Sequence, residues 1–388
     1  MKKALIIATV SGFLMQFEMQ NVAILQDMGY EVHYASNCNV PKYRFDAEEL
    51  AHLGIRVHSV PMEKSPARLR RNALAVRRVE QIIRAEGITL IHCHTPVGGL
   101  VGRLAGMRCR DLGVRVVYTA HGFHFYRGCP KWDLLLYRTA ERLLARETDA
   151  LVVINREDYE SASAFQLKEG GQVYRIPGVG LDRDRFHPFS EQQRQAARQR
   201  LGIGENDILL LSVGEVNRNK NHVTALKALE RILKENTDRK RIRYLICGEG
   251  SERPALEAWI RQHGMEHAAA CFGYCNLPEE IYGAADLFLF PSRREGLGMA
   301  ALEALACGVP VAAADNRGTR EYVLPGENGW LCRWDEPGDY AAAFRQWESL
   351  TEKEKIRMRE KCRASTERFG KQYTAQVMKQ VYRDTCGG

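Results

Sequence analysis

DLFLFPSRREGLGMAALEALACGVPVAAA, Asp286 to Ala314, reads as strand, loop, helix and strand. DLFLFPS (286–292) and VPVAAA (309–314) are short apolar runs of the kind that make buried strands. The alanine- and leucine-rich segment between them, from Met299, reads as a helix. A loop carrying Gly296 and Gly298 precedes it. Two acids stand seven residues apart, Glu295 in the glycine loop and Glu303 inside the helix. Short apolar strands separated by helices imply a parallel sheet covered on both faces.

Outward from this stretch the same unit recurs. ILLLSVG (208–214), IRYLICG (242–248) and AACFG (269–273) are strand-like, with helices expected over 221–235, 252–263 and 278–284. Toward the N-terminus, ALIIAT (4–9), VHYAS (32–36), ITLIHCH (88–94), VRVVYTA (114–120) and DALVVI (149–154) repeat the pattern, with helices expected over 17–28 and 69–85. IPGVGLDRDRFHP (176–188), with two prolines and two glycines, interrupts it as a linker. The fold class is therefore α/β, with two doubly wound, Rossmann-like domains expected over 1–178 and 179–365. Residues 366–388 are expected to form a helix that packs back on the first domain. A hinge between two such domains makes a cleft, where small-molecule sites are favoured.

The bulk numbers suit this division. A chain of 388 residues, 45% hydrophobic and 27% charged, is globular and long enough for two cores. A net charge of +8 fits either a solvated surface with excess arginine or attraction to an anionic partner such as a sugar nucleotide, a phospholipid surface or nucleic acid, and charge alone does not choose. Eleven scattered cysteines, with only Cys271 and Cys275 closely spaced, read as reduced thiols of a cytoplasmic protein rather than a zinc site. Lys2 and Lys3 before ALIIATVSGFLM imitate a signal peptide, but Gln16, Glu18 and Gln20 follow at once, so the run reads as a buried first strand. No apolar run reaches the ~20 residues of a membrane-spanning helix.

The chemistry gathers in the strand-end loops of the second half. EVNRNKNH (215–222) offers Arg218 and Lys220, and Gly248-Glu249-Gly250 precedes another helix. In the loop 293–299 the glycines admit a close backbone approach, and the helix that follows directs its N–H groups and positive dipole end into the loop. A diphosphate fits there, with Lys220 and Arg218 able to close on it. Neither GxxxxGK[ST] nor GxGxxG after the first strand is present, which weakens mononucleotide P-loop and dinucleotide readings. Glu303, about a turn into the helix, can reach back to paired ribose hydroxyls. Glu295 would lie beyond the phosphates, near the group they carry.

Glu295-x7-Glu303, in the setting FPSRREGLGMAALEALACGVPV, resembles the E-x7-E signature of retaining glycosyltransferases of the GT-B fold, family 4. HCHTP (92–96), YTAHGFHFY (118–126), SVGEVNRNKNH (212–222), ICGEGSE (246–252) and FGYCNLPEEIYGAADLFLFPS (272–292) resemble family segments in the same order. YTAHGFHFY is similar to the capsule and exopolysaccharide members, which act on lipid-linked acceptors. The resemblance implies a UDP-hexose or UDP-N-acetylhexosamine donor and a lipid-linked saccharide acceptor. It places Glu303 on the ribose, Glu295 at the donor sugar, the backbone of Leu297, Gly298 and Met299 on the diphosphate, and Lys220 at the leaving phosphate. Gly248 and Gly250 would let the nucleotide approach, and the backbone near Tyr274 would meet the base. His121 would face the donor sugar or leaving group, and Gly12 would leave room for phosphate and acceptor. One departure stands out: Glu215 follows Gly214, where the family usually has arginine, and Arg218 is the candidate to supply that charge. The resemblance implies retention of configuration with no metal and no cofactor. The alternatives are a GT-B epimerase acting on a UDP-sugar and a non-catalytic nucleotide-sugar sensor.

Other signals carry less. His92-x-His94 and His121-x-x-His124 suggest a metal, but no carboxylate or cysteine stands at ligand spacing. Asp182-x-Asp184 sits in the linker. The basic, amphipathic segment 64–84 is a candidate for peripheral contact with an anionic membrane at the inner face of the cell membrane. No aromatic residues interleave with its arginines, so nucleic acid is not expected.

Overall fold

The computed structural model describes residues 2–39, 43–235 and 241–387. It divides into two compact units. The first runs through Gly180 and includes the helix Lys371–Cys386, and the second spans Leu181–Gly370.

The first unit is built on β1 (Lys2–Val10), β2 (Tyr30–Asn37), β3 (Ile55–Ser59), β4 (Leu90–His94), β5 (Arg115–Ala120), β6 (Ala150–Val153) and β7 (Gln172–Arg175). They form one sheet in the order β3-β2-β1-β4-β5-β6-β7, and every pairing is parallel. The second unit contains β8 (Ile208–Val213), β9 (Ile242–Cys247), β10 (Ala269–Gly273), β11 (Leu287–Phe290), β12 (Val311–Ala314) and β13 (Gly329–Cys332). Its order, β10-β9-β8-β11-β12-β13, is again wholly parallel. Both sheets are doubly wound. Central runs such as Ala4–Ala8 and Leu209–Leu211 are inaccessible to solvent because helices cover both faces.

Strand order reverses between β1 and β4 in one sheet and between β8 and β11 in the other. Ligands of such sheets bind beyond the strand C-termini at these switch points. The loops after β1, β4, β8 and β11 are therefore where function is to be sought.

Two details differ from the sequence reading. Residues 17–28 are not one regular helix. A wide π-helical turn, Leu14–Glu18, runs into the α-helix Met19–Asp27. Such turns insert a residue and re-aim side chains, and here Glu18 is buried. The strands β3, β7 and β13 were not legible: each is short and lies at a sheet edge, so one side lacks the neighbour that would demand a continuous apolar run. The basic helix Leu69–Glu86 seats Val76, Val79, Ile82 and Ile83 in the core. Some of its arginines are paired at the surface, Arg71 with Glu63 and Arg84 with Glu80 and Asp111.

The helix Lys371–Cys386 packs against the first unit through buried Met378, Val381 and Tyr382. The Tyr382 hydroxyl lies 2.7 Å from His92 Nδ1. All eleven cysteines are free. Among the described residues no helix is long and apolar enough to cross a membrane.

Candidate active site

At the switch point of the second unit, two loops are sewn together by main-chain and amide bonds. Arg293 N–H donates to the Asn219 carbonyl at 2.8 Å, and Asn219 Nδ2 donates to the Arg294 carbonyl at 2.9 Å. Asn221 has a left-handed backbone, φ 56°, which asparagine tolerates better than most residues. Its amide donates to the carbonyls of Pro291 (3.2 Å) and Trp334 (2.6 Å), holding the turn. This stitching sets Lys220 Nζ 2.6 Å from Glu295 Oε1. Both side chains are largely shielded, and the ammonium lies 5.0 Å from the centre of the Phe290 ring. The structure thus brings two of the sequence candidates into direct contact.

Glu295 leads into the helix Met299–Ala306. Gly298 precedes that helix with φ 90°, and a β-carbon there would come 2.8 Å from the Phe290 ring and 3.0 Å from the Tyr322 hydroxyl. Only glycine fits, and it brings no side chain to cap the helix. The Ala301 N–H bonds to the Gly298 carbonyl at 3.1 Å, and no side chain caps the helix start, which carries the positive end of the dipole. One turn further on, Tyr282 Oη donates to Glu303 Oε2 at 2.9 Å. Among the described residues no hydrogen bond reaches the other carboxylate oxygen of Glu303. Burial holds this carboxyl above its usual range, although the tyrosine bond pulls the other way.

Gly248 and Gly250 have a packing reason to be glycine beside the role the resemblance implied. A β-carbon on Gly248 would stand 1.9 Å from the Gly214 carbonyl oxygen, and one on Gly250 would stand 2.1 Å from that of Val216. The two loops lie backbone on backbone, joined by Val216 N–H to the Glu249 carbonyl at 2.9 Å. The glycines therefore allow loop 214–216, and Lys220 after it, to sit where it does. Gly250→Ala is expected to lower stability by at least about 1–3 kcal/mol, the cost of overpacking a close contact. A thermal midpoint unchanged from wild type would show that the loops are not so closely pressed.

The remaining candidates are dispersed. Arg218 is 87% exposed, and its Nε lies 3.5 Å from Glu252 rather than beside Lys220. Glu215 is exposed and Tyr274 stands in solvent after β10. Leu297 is buried, with Gly318 pressed so tightly against it that a β-carbon would lie 2.8 Å from its carbonyl oxygen.

The first unit repeats the motif of an acid at its switch point, which sequence reasoning missed. Gly12 follows β1 and leads into the π-helical turn that delivers Glu18. Glu18 Oε1 lies 3.3 Å from His94 Nδ1 and 3.7 Å from His121 Nε2, and those two nitrogens are 3.1 Å apart. Asn21 Nδ2 donates to Glu18 Oε2 at 2.6 Å. The Phe13 ring packs on both His94 and His121. Burial raises the Glu18 carboxyl to about 8 and lowers the His121 imidazole to about 4, so His121 is neutral near pH 7. In sequence Glu18 is one polar residue among Gln16 and Gln20; only the irregular turn marks it out.

The same geometry corrects the reasoning used against a metal. Glu18, His92 and His94, all buried, offer ligand atoms within 4.8 Å of one another, so a carboxylate does stand beside the histidines. A cation would compete for His92, whose nitrogens lie 2.7 Å from the Tyr382 hydroxyl and 2.8 Å from Thr119 Oγ1.

Comparison with known proteins adds the family. Residues 193–367 match the model for glycosyl transferases group 1, and residues 19–175 match that for a glycosyl transferase 4-like domain. The glycosyltransferase EpsD of Bacillus subtilis (strain 168) is 34% identical over 383 residues, covering 98% of this chain and 96% of that protein. The UDP-Gal:alpha-D-GlcNAc-diphosphoundecaprenol alpha-1,3-galactosyltransferase of Escherichia coli is 25% identical over 269 residues, covering 68% of this chain and 67% of its own. Among solved structures, Anabaena Alr3699/HepE, crystallised with UDP and glucose, superposes with a TM-score of 0.77 at 18% identity, covering 98% of this chain and 99% of that one. Fold, family models and a full-length relative agree: the chain belongs to the GT-B glycosyltransferases of the family 4 type.

Proposed function

We propose that this glycosyltransferase moves a hexose or N-acetylhexosamine from a UDP-sugar, with retention, to a lipid-linked saccharide at the inner face of the cell membrane, in capsule or exopolysaccharide assembly. The observation that carries the donor half is the Lys220–Glu295 pair, 2.6 Å apart and set before an uncapped helix start. The name of the Escherichia coli relative, with a UDP-sugar donor and a diphosphoundecaprenol-linked acceptor, supports the acceptor half.

In this reading the diphosphate lies over the first amides of Met299–Ala306. Glu303 receives the ribose hydroxyls on its open oxygen, and the Leu297–Met299 backbone holds the phosphates. Without donor, Glu295 neutralises Lys220. A bound donor places its phosphate on the ammonium and frees Glu295 for the sugar hydroxyls. The bond from the anomeric carbon to the phosphate oxygen breaks toward an oxocarbenium-like state. Lys220 and the helix dipole stabilise the charge gathering on the UDP. The acceptor oxygen bonds to the same face, and its proton passes to the departing phosphate oxygen. His121 acts as a neutral hydrogen-bonding group, as burial dictates. Neither a nucleophile nor a metal is assigned to the step.

A thermal-shift screen of nucleotide sugars tests the donor, since a ligand that binds the native state raises its stability. A UDP-sugar is expected to stand out, and Glu303→Ala is expected to weaken its binding about tenfold, on the scale of a lost hydrogen bond to a charged group. Incubation with an undecaprenyl-diphosphate saccharide should then release UDP. Conversion of the sugar without acceptor would favour an epimerase, and binding without turnover a sensor.

A further inference from the structure

The helix Lys131–Ala145 is turned inside out. Trp132, Leu135, Leu136 and Leu143 are 82%, 61%, 65% and 57% exposed. Their spacings of three, four and seven residues set them on one face. The opposite side holds Tyr137, Glu141, Leu144 and Ala145. Glu141 is the root of the helix, accepting from the buried Arg103 guanidinium at 2.7 Å and from Tyr118 Oη at 3.3 Å. An acid faces the protein while a tryptophan and three leucines face solvent. Folding of the isolated chain does not call for that arrangement, because the outward residues bury nothing.

The cations of the segment are placed to match. Lys131, Arg138, Arg142 and Arg146 are exposed. At 100° per residue Lys131, Arg138 and Arg142 fall on one flank of the apolar stripe and Arg146 falls between Leu135 and Trp132, while Asp133 and Glu141 fall away from it. A tryptophan with leucines bordered by arginines suits the boundary between headgroups and acyl chains, where the indole prefers to lie and the arginine stems reach up to phosphates.

We infer that the helix Lys131–Ala145 is a membrane-docking element that lies in the surface of an anionic bilayer. This moves the contact from the segment 64–84. The helix Leu69–Glu86 keeps its main apolar stripe in the core, so it offers charge with little to insert. The assignment rests on exposure and charge along one helix, and not on the identity of donor or acceptor.

Co-sedimentation with vesicles of phosphatidylglycerol and phosphatidylcholine tests it. The full chain is expected to bind these and to bind phosphatidylcholine alone weakly. The triple variant Trp132→Ala, Leu136→Ser, Leu143→Ser should lose about tenfold or more of the partition, since each side chain removed takes apolar area out of the bilayer. Arg138→Gln with Arg142→Gln should weaken binding and flatten its salt dependence. All these residues are exposed, so the variants should keep the thermal midpoint and the response to UDP. Loss of the UDP response would bear on the proposed transfer reaction instead. Undiminished vesicle binding by the triple variant would overturn the assignment. So would loss of binding on neutralising Arg70, Arg71, Arg77 and Arg78 alone. A concentration-dependent dimer abolished by the triple variant, without vesicle binding by wild type, would make the face a protein interface.

Discussion

Lys220→Ala is expected to slow sugar transfer by about 100- to 1,000-fold, the usual effect of removing one preorganised group that stabilises charge developing on a leaving oxygen. In the proposed reading the loss should fall on kcat more than on KM, because the uncapped helix start and Glu303 would still hold the donor while the charge on the departing nucleotide goes unmet. Folding should suffer little. The Lys220–Glu295 pair lies at the rim of the unit, its side chains 20% and 13% exposed, and the loops are held independently by Asn219 and Asn221. Single-turnover rates with saturating donor, set beside the thermal midpoint, separate the two roles. A variant that turns over at the wild-type rate, or one that loses rate only in proportion to unfolding, would remove Lys220 from the chemistry. Glu295→Gln offers a contrast. It leaves the ammonium without its carboxylate partner, so nucleotide binding should hold or tighten while sugar transfer falls.

The second half of the site was legible because its geometry is local. Glu295, Gly298 and Glu303 lie in one strand-loop-helix segment, so their spacing in sequence is their spacing in space. Lys220 was reachable as well, because β8 and β11 are neighbours at the reversal of strand order, and both end in polar loops. The packing reason for Gly248 and Gly250 was not legible. Their requirement comes from the Gly214 and Val216 carbonyls of another loop, a contact that no pattern within residues 246–252 encodes. Edge strands such as Gln172–Arg175 escaped because half-covered strands need not be apolar. The helix Lys131–Ala145 reads as amphipathic in sequence, but a stripe of leucines does not say which way it faces. That depends on Arg103 and Tyr118, which take Glu141 inward. Glu18 was hidden for a further reason: a regular helical period does not describe a π-helical turn, so its inward aim had no signature.

Glu18 also governs the second large expected effect, a stability profile that peaks near pH 6.5. Burial raises its carboxyl from 4.5 to about 8 in the folded chain. Below pH 4.5 folded and unfolded chains both carry the proton, and the stabilising contribution is whole. As the pH rises toward 8 the unfolded chain alone loses the proton, and stability falls. The buried imidazoles act in the opposite sense. His92 is lowered to about 3, His121 to about 4 and His94 well below 6.5, so their contribution is whole above pH 6.5 and is lost as the pH falls. His33 and His58, lowered by burial too, add to the acid side. Glu18→Gln keeps an oxygen for the Asn21 amide but cannot ionise. Between pH 5 and pH 8 the variant should gain roughly 4 kcal/mol over wild type, at ~1.4 kcal/mol per pK unit. In a unit of this size that is a relative rise of about 10 °C in the midpoint. The histidines are common to both proteins, so their contribution cancels and the difference isolates Glu18. Thermal midpoints of the two proteins across that range provide the check. Curves that run parallel from pH 5 to pH 8 would mean that Glu18 keeps an ordinary carboxylate pKa, and that the cluster with His94 and His121 is solvated rather than sealed.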